Sequence, residues 1–256
     1  MFGYFLKHFK VFDDTFFNQL NKFKLAVFDL DGTLLNHEGF ISDEHLASLH
    51  AAKQKGLKIV IASGRIYPML ESYIKKIGVV DFVISANGAA IDQVSNQKII
   101  KQIYIDQTEA KMIVEFCHKH QIECLILKRE MSYYPAQSKR LEKFLNYNHI
   151  SKVMGYDAMG LAQYDDKFMD YQHIEKLLVN EKNETEVQKL IDFIKSNTNL
   201  NYTKSGKLLL DISSKGVGKE IALKKICEYL SIDLDQVIAF GDQRQVVRPL
   251  ARRGSP

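Results

Sequence analysis

Lys24-Leu25-Ala26-Val27-Phe28-Asp29-Leu30-Asp31-Gly32-Thr33-Leu34-Leu35 decides how the rest of the chain is read. The unbroken apolar run from Leu25 to Phe28 suits a parallel strand buried on both faces, where neither side meets water and alternation disappears. Gly32 permits a sharp turn directly after it, and Thr33 can bond the loop. Asp29 and Asp31 stand at the mouth of that strand. Side chains at i and i+2 of a strand end face one crevice, while the residue between them, Leu30, points into the protein. Two close carboxylates can divide labour, one ionised as a nucleophile and one protonated as an acid. An ordinary Asp-Gly turn is the competing reading. A calcium loop fits poorly, because its sixth position requires Gly and holds Leu34.

The strand, loop, helix pattern then repeats. Residues 42–54 are helical in period, with Ser42 as N-cap and Gly56 as the stop. Residues 57–62 read as a second strand, 65–76 as a helix and 81–84 as a third strand. This alternation implies an α/β fold, a Rossmann-like doubly wound parallel sheet. Ligands of such sheets bind at the carboxyl ends of strands, which singles out the loops after Phe28, Ala62, Ile84 and Phe240. Residues 86–203 read differently. Strands are expected at 99–105 and 124–127, and helices at 108–120, 138–146 and 184–197, without regular crossovers, as in an inserted α+β domain. The core sheet is expected to resume with strands at 207–211 and 236–240 around a helix at 219–230. The expected organisation is an N-terminal extension at 1–23, a discontinuous core at 24–85 and 204–243, an insertion at 86–203 and a tail at 244–256.

Composition excludes several classes of function. The chain has 256 residues, 46% of them hydrophobic and 26% charged, which is enough to bury a real core. No run approaches the roughly 18 uncharged apolar residues of a membrane span. The formal net charge of +4 comes from four arginines in the last thirteen residues, and the body of the chain balances 31 basic against 31 acidic residues. A basic footprint for nucleic acid is therefore absent. Cys117, Cys124 and Cys227 form no CxxC pair, so no disulfide framework or zinc site is expected, and a cytoplasmic location fits. Phe2, Phe5, Phe9, Phe12, Phe16, Leu20 and Phe23 recur at helical spacing. That stripe predicts an amphipathic helix, packed on its own domain or making a surface contact with a membrane, a partner or a second copy.

The remaining chemistry lies in the other loops. Ser63-Gly64-Arg65 follows the second strand, where a hydroxyl and backbone amides at a helix start can hold a phosphate. Asn87-Gly88 follows the third strand. Lys219 closes Lys215-Gly216-Val217-Gly218-Lys219, which is no P-loop, because that spacing demands Gly at Ser213 and Ser or Thr at Glu220. Gly241-Asp242 follows the last strand, where an acid can complete an oxygen site for magnesium. Each feature alone also fits a plain turn or, for Lys219, a surface lysine.

Their order carries more than any one of them. The segments 27–35, 61–65, 84–89, 215–219 and 239–242 together resemble the haloacid dehalogenase superfamily, most closely its Cof-type branch of small-molecule phosphatases. The resemblance covers about residues 24–243. It implies that Asp29 attacks phosphorus to form an aspartyl-phosphate, and that Asp31 protonates the leaving oxygen and then activates water. It further implies that Ser63, Gly64 and Lys219 hold the phosphoryl group and that Arg65 and Asn87 lie near the substrate. Mg2+ would bind Asp29, the backbone carbonyl of Asp31, and Asp242. The insertion would be the cap that closes over the site and selects a small phosphorylated metabolite, a sugar phosphate or cofactor phosphate. A truncated or degenerate member that only binds phosphate ligands is the alternative.

The resemblance stops abruptly. After Asp242 the family has Asn and a second Asp, where this chain has Gln245 and Val246. Before residue 244 there are three arginines and 28 lysines; from 244 on there are four arginines and no lysine, with two of the four prolines. The expectation is a non-family tail from a frameshift, a truncated gene or vector-derived residues. Reading the DNA past codon 243 in all frames tests this: a frameshift predicts Asn-Asp and a closing strand in another frame, and their absence from every frame eliminates it.

Overall fold

The computed structural model describes residues 5–6, 22–165, 169–205 and 209–241. They fall into two compact units, one within 1–64, 73–100 and 218–256, the other within 65–72 and 101–217.

The first unit is built on a sheet with strand order β1 (Phe5–Leu6), β13 (Val237–Phe240), β2 (Leu25–Asp29), β3 (Lys58–Ala62), β4 (Phe82–Ser85), β5 (Ala90–Gln93) and β6 (Lys98–Gln102). β1, β13, β2, β3 and β4 are mutually parallel, and β5 returns antiparallel to β4. Every residue of β2, β4 and β13 is buried. This is why their sequences show no polar alternation. Leu25 and Val27 of β2, with Val60 and Ala62 of β3, pack in one cluster with Ala222, Leu223 and Ile226 of helix α6 (Lys219–Leu230). The stacked rings of Phe28 and Phe240, 4.7 Å apart, lock β2 to β13 near the end that carries Asp29. Helix α1 (Asp43–Gln54) starts as its sequence suggests, with the Ser42 hydroxyl accepting from the His45 amide at 3.2 Å.

The second unit has its own sheet, in the order β11 (Asn201–Lys204), β12 (Leu209–Ser213), β10 (Ile174–Asn180), β7 (Glu123–Lys128), β8 (Met131–Tyr134) and β9 (Gly160–Gln163). All neighbours are antiparallel except β8 and β9. Helices α3 (Gln107–Lys119) and α5 (Glu184–Asn197) share a core with one face of it, through Ile113, Val114, Leu190 and Ile194 against Ile126, Leu177, Val179 and Ile212. The alternate residues of the same strands face the other way, and among them Lys176 and Asp211 form an ion pair at 2.9 Å, each about 6% exposed.

Five expectations are corrected. The strand expected to resume the core at 207–211 is β12, which pairs with β10 and β11 in the second sheet. The compact units accordingly divide after Ile100 and Val217, where boundaries near 86 and 203 were expected. The helix expected over 65–76 is a short 3-10 turn at Tyr67–Met69 followed by α2 (Glu71–Ile77), because Pro68 can occupy only the first turn of a helix. The helix expected over 138–146 is α4 (Leu141–Val153). Finally, Phe5–Leu6 is a strand paired with β13, which breaks the helix expected over 1–23; the rest of that stripe up to residue 21, and the tail from 242, lie outside the described residues.

The buried pair makes a testable demand on stability. Lys176→Met strips Asp211 of this cation and is expected to cost about 3–5 kcal/mol, whereas Lys176→Met with Asp211→Leu recovers most of the loss. Urea unfolding of the three proteins measures both, and a single variant as stable as the parent removes the pair from the account.

Candidate active site

Asp29 is the last residue of β2, and the end of a parallel strand is where its side chain emerges toward the loops. It is only 8% exposed. Its Oδ1 accepts from the Leu30 amide at 3.0 Å and from the Lys219 ammonium at 3.1 Å. The chain then turns within 30–34, with Gly32 in the left-handed region at φ 75° and the Leu35 amide donating to the Leu30 carbonyl at 3.0 Å. Leu30 is fully buried and Asp31 exposed, as alternation at a strand end requires. Thr33 departs from expectation: its hydroxyl is buried and has no hydrogen-bond partner among the described residues.

Two more loops meet at this end of the sheet. Ser63 follows β3; its amide donates to the Ile84 carbonyl at 2.8 Å and its own carbonyl accepts from the Asn87 amide at 3.1 Å. These bonds tie the Ser63-Gly64 loop to the Ala86-Asn87-Gly88 turn. A Cβ on Gly64 would stand 2.7 Å from Asn87 Oδ1, so the absence of a side chain there lets Asn87 lie against the loop. Gly88, at φ 103°, has its Cα so close to the Gly218 carbonyl that a Cβ would stand 2.3 Å from that oxygen. Gly218 is the N-cap of α6, so this backbone contact sets the point from which Lys219 reaches Asp29.

The first unit therefore gathers Asp29, Asp31, Ser63, Gly64, Asn87 and Lys219 at the carboxyl ends of β2, β3 and β4 and the start of α6. Arg65 groups with the second unit, where its guanidinium lies 4.4 Å from the centre of the Tyr147 ring. Asp242 lies outside the described residues. Gly88 and Gly218 were not singled out from the sequence as site residues. Their signal was present in Asn87-Gly88 and Gly216-Val217-Gly218, since glycine is what a close approach of two backbones requires.

The donor chemistry suits a hard divalent cation. The Asp29 carboxylate and the Asp31 backbone carbonyl offer oxygen only, the kind of ligand magnesium takes. Among the described residues no cluster of three His, Cys, Asp or Glu side chains forms, so one carboxylate and one carbonyl are what this loop contributes.

A buried carboxylate met by a lysine, in a loop cluster at the carboxyl end of a parallel sheet, lies where ligands bind in sheets of this kind. Residues 26–245 match the family of haloacid dehalogenase-like hydrolases, and the chain belongs to that family. It is a hydrolase of the phosphatase kind, with the mixed α/β fold of that superfamily. Among its relatives is the 5-amino-6-(5-phospho-D-ribitylamino)uracil phosphatase YcsE of Bacillus subtilis (strain 168), 24% identical over 90% of this chain and 81% of the relative. A haloacid dehalogenase-like hydrolase from B. subtilis shares the fold with a TM-score of 0.74 at 22% identity, over 88% of this chain and 87% of that one. The subclass IIB sugar phosphatase BT4131 does so with a TM-score of 0.71 at 22% identity, over 86% and 80%.

Gly88→Ala tests how the loops are held. The substitution forces a side chain into both a left-handed backbone and the Gly218 carbonyl, and is expected to cost about 2–4 kcal/mol. Chemical denaturation reads the loss; a fall of less than about 0.5 kcal/mol would show that the two backbones part easily and do not fix Lys219.

Proposed function

We propose that the chain hydrolyses the phosphate monoester of a small metabolite, a sugar phosphate or cofactor phosphate, through an aspartyl-phosphate on Asp29. The observation that carries this reading is the Lys219 ammonium 3.1 Å from the Asp29 carboxylate at the end of β2. The lysine fixes the carboxylate and offers a cation to the phosphoryl oxygens that arrive beside it. An Asp29 oxygen attacks phosphorus as the ester P–O bond breaks, and Asp31, on the exposed side of the loop, gives its proton to the leaving oxygen. Asp31 then takes a proton from water, which attacks phosphorus, releases inorganic phosphate and restores Asp29. Ser63, the Gly64 backbone and Lys219 hold the phosphoryl oxygens, and Asn87 lies against that loop toward the substrate. Arg65, in the second unit, is assigned to the substrate by the family resemblance.

Mg2+ would be held by the Asp29 carboxylate, the Asp31 carbonyl and Asp242. When bound, it offsets the repulsion between an anionic nucleophile and an anionic phosphate. The substrate class rests on the names of relatives, one a phosphatase of a phosphoribitylamino-uracil and one a sugar phosphatase. No helix among the described residues is long and apolar enough to cross a membrane, and the three cysteines are unpaired and buried, which supports a cytoplasmic setting.

Release of phosphate from an aryl phosphate tests the reading. Activity is expected to require magnesium, to be lost on chelation and to fall to background in Asp29→Asn. Lys219→Met is expected to lower kcat/KM by about 10²-fold. Parent-like turnover by a folded Asp29→Asn protein would sink the proposal.

A further inference from the structure

β13 is held between two strands that both precede α1 in the chain, β2 on one side and β1 on the other. Parallel register sets Phe5 beside Ala239 and Leu6 beside Phe240. The pairing therefore covers only the end of β13 that leads into the loop at Gly241. Residues 7–24 carry the chain from β1 past β13 to β2, more than the roughly dozen residues that a parallel crossover needs.

That end of β13 adjoins the candidate site. Phe240 is in register with Phe28, and their stacked rings lie 8° from parallel. Phe28 is in register with Ile61, and Ile61 with Val83. One row of backbone pairs thus runs across the sheet from Leu6 to Val83, and the next row along β2 holds Asp29 beside Ala62. Phe240 and Gly241 are buried, so the backbone here is largely out of water and its polar groups need partners within the protein. Without β1, the outward N–H and C=O groups at Ala239 and Phe240 would form an open sheet edge. A strand serving bulk stability alone would gain by running the length of β13, whereas this one is confined to the end beside Asp29.

We propose that Phe5–Leu6 is a positioning strand for the reaction at Asp29. By pairing with the end of β13 it holds the Phe240 backbone, and the Phe240–Phe28 stack passes that restraint to the residue before Asp29. The nearest reporter is the Leu30 amide, which donates to Asp29 Oδ1 at 3.0 Å. The proposal rests on the reading of Asp29 as the nucleophile, and two of its three readouts do not depend on turnover.

Proline substitutions in the full chain separate backbone pairing from side-chain loss. Successive amides of a strand face opposite edges, so only one of Phe5→Pro and Leu6→Pro removes an N–H directed at β13. Measured against Phe5→Ala or Leu6→Ala, that variant is expected to speed amide exchange at residues 239–241 about tenfold or more, with β7 and β10 protected as in the parent. Its Leu30 amide resonance moves, and kcat on an aryl phosphate falls about tenfold with KM within about twofold of the parent. The other proline variant behaves as its alanine control. Unchanged exchange in both proline variants, equal damage in both, or faster exchange with either the Leu30 resonance or kcat unmoved would each overturn the proposal. A parent without turnover fails the reading of Asp29 as nucleophile instead; a moved Leu30 resonance then still supports the hold of β1 on that residue, and an unmoved one overturns it. If the sensitive variant unfolds, Phe5→Gly/Leu6→Gly takes its place, keeping both amides but loosening the strand. Exchange faster by about threefold or more with a moved Leu30 resonance supports the proposal there, and any lesser response overturns it.

Discussion

A carboxylate at the end of a fully buried strand must have its charge answered, and Lys219 answers that of Asp29 at 3.1 Å. At an effective dielectric near 20 the attraction is on the order of 5 kcal/mol before the desolvation of either group is subtracted. The pair need not stabilise the fold to matter. Its consequence is positional, because removing either partner leaves a charge in a place that water barely reaches. The sheet must therefore bring α6 to the mouth of β2, and the contact between Gly88 and the Gly218 carbonyl is the backbone arrangement that does so.

Legibility in the sequence followed what is local. The β2 run and its turn, the Ser42 cap of α1 and the extent of α6 were all readable, because burial, capping and period act over a few residues. Partner choice was not. The Leu-rich strand at Leu209–Ser213 reads as a buried strand in either sheet, since hydrophobicity says that a strand is covered without saying which strand pairs with it. The Phe spacing near the N-terminus predicted helix, yet Phe5–Leu6 takes an open edge beside β13, a pairing whose partner lies over 230 residues away in sequence. The site divides in the same manner. Asp29, Ser63 and Asn87 follow directly from strand ends and sit on one side of one sheet. Arg65, adjacent to Gly64 in sequence, groups with the other unit, where its guanidinium lies over the Tyr147 ring. No local pattern announces a cation–π partner so distant along the chain.

The two units have separate cores. The second unit has its own helices, its own sheet and a buried ion pair on the face away from those helices. A body inserted with its own core can vary in surface without disturbing the strand that carries Asp29. Exposed loops on such a body are where new recognition arises at low cost to stability.

Glu123 shows the other use this chain makes of a carboxylate. Its Oε1 accepts from the Ser138 hydroxyl and the Arg140 amide and its Oε2 from the Asn180 side-chain amide, so it ties the segment before α4 to β7 and β10. Asp29 instead ends its strand in a loop cluster with the Lys219 ammonium beside it. One carboxylate is surrounded by groups that hold the chain together, and the other stands where an open α/β sheet receives a ligand.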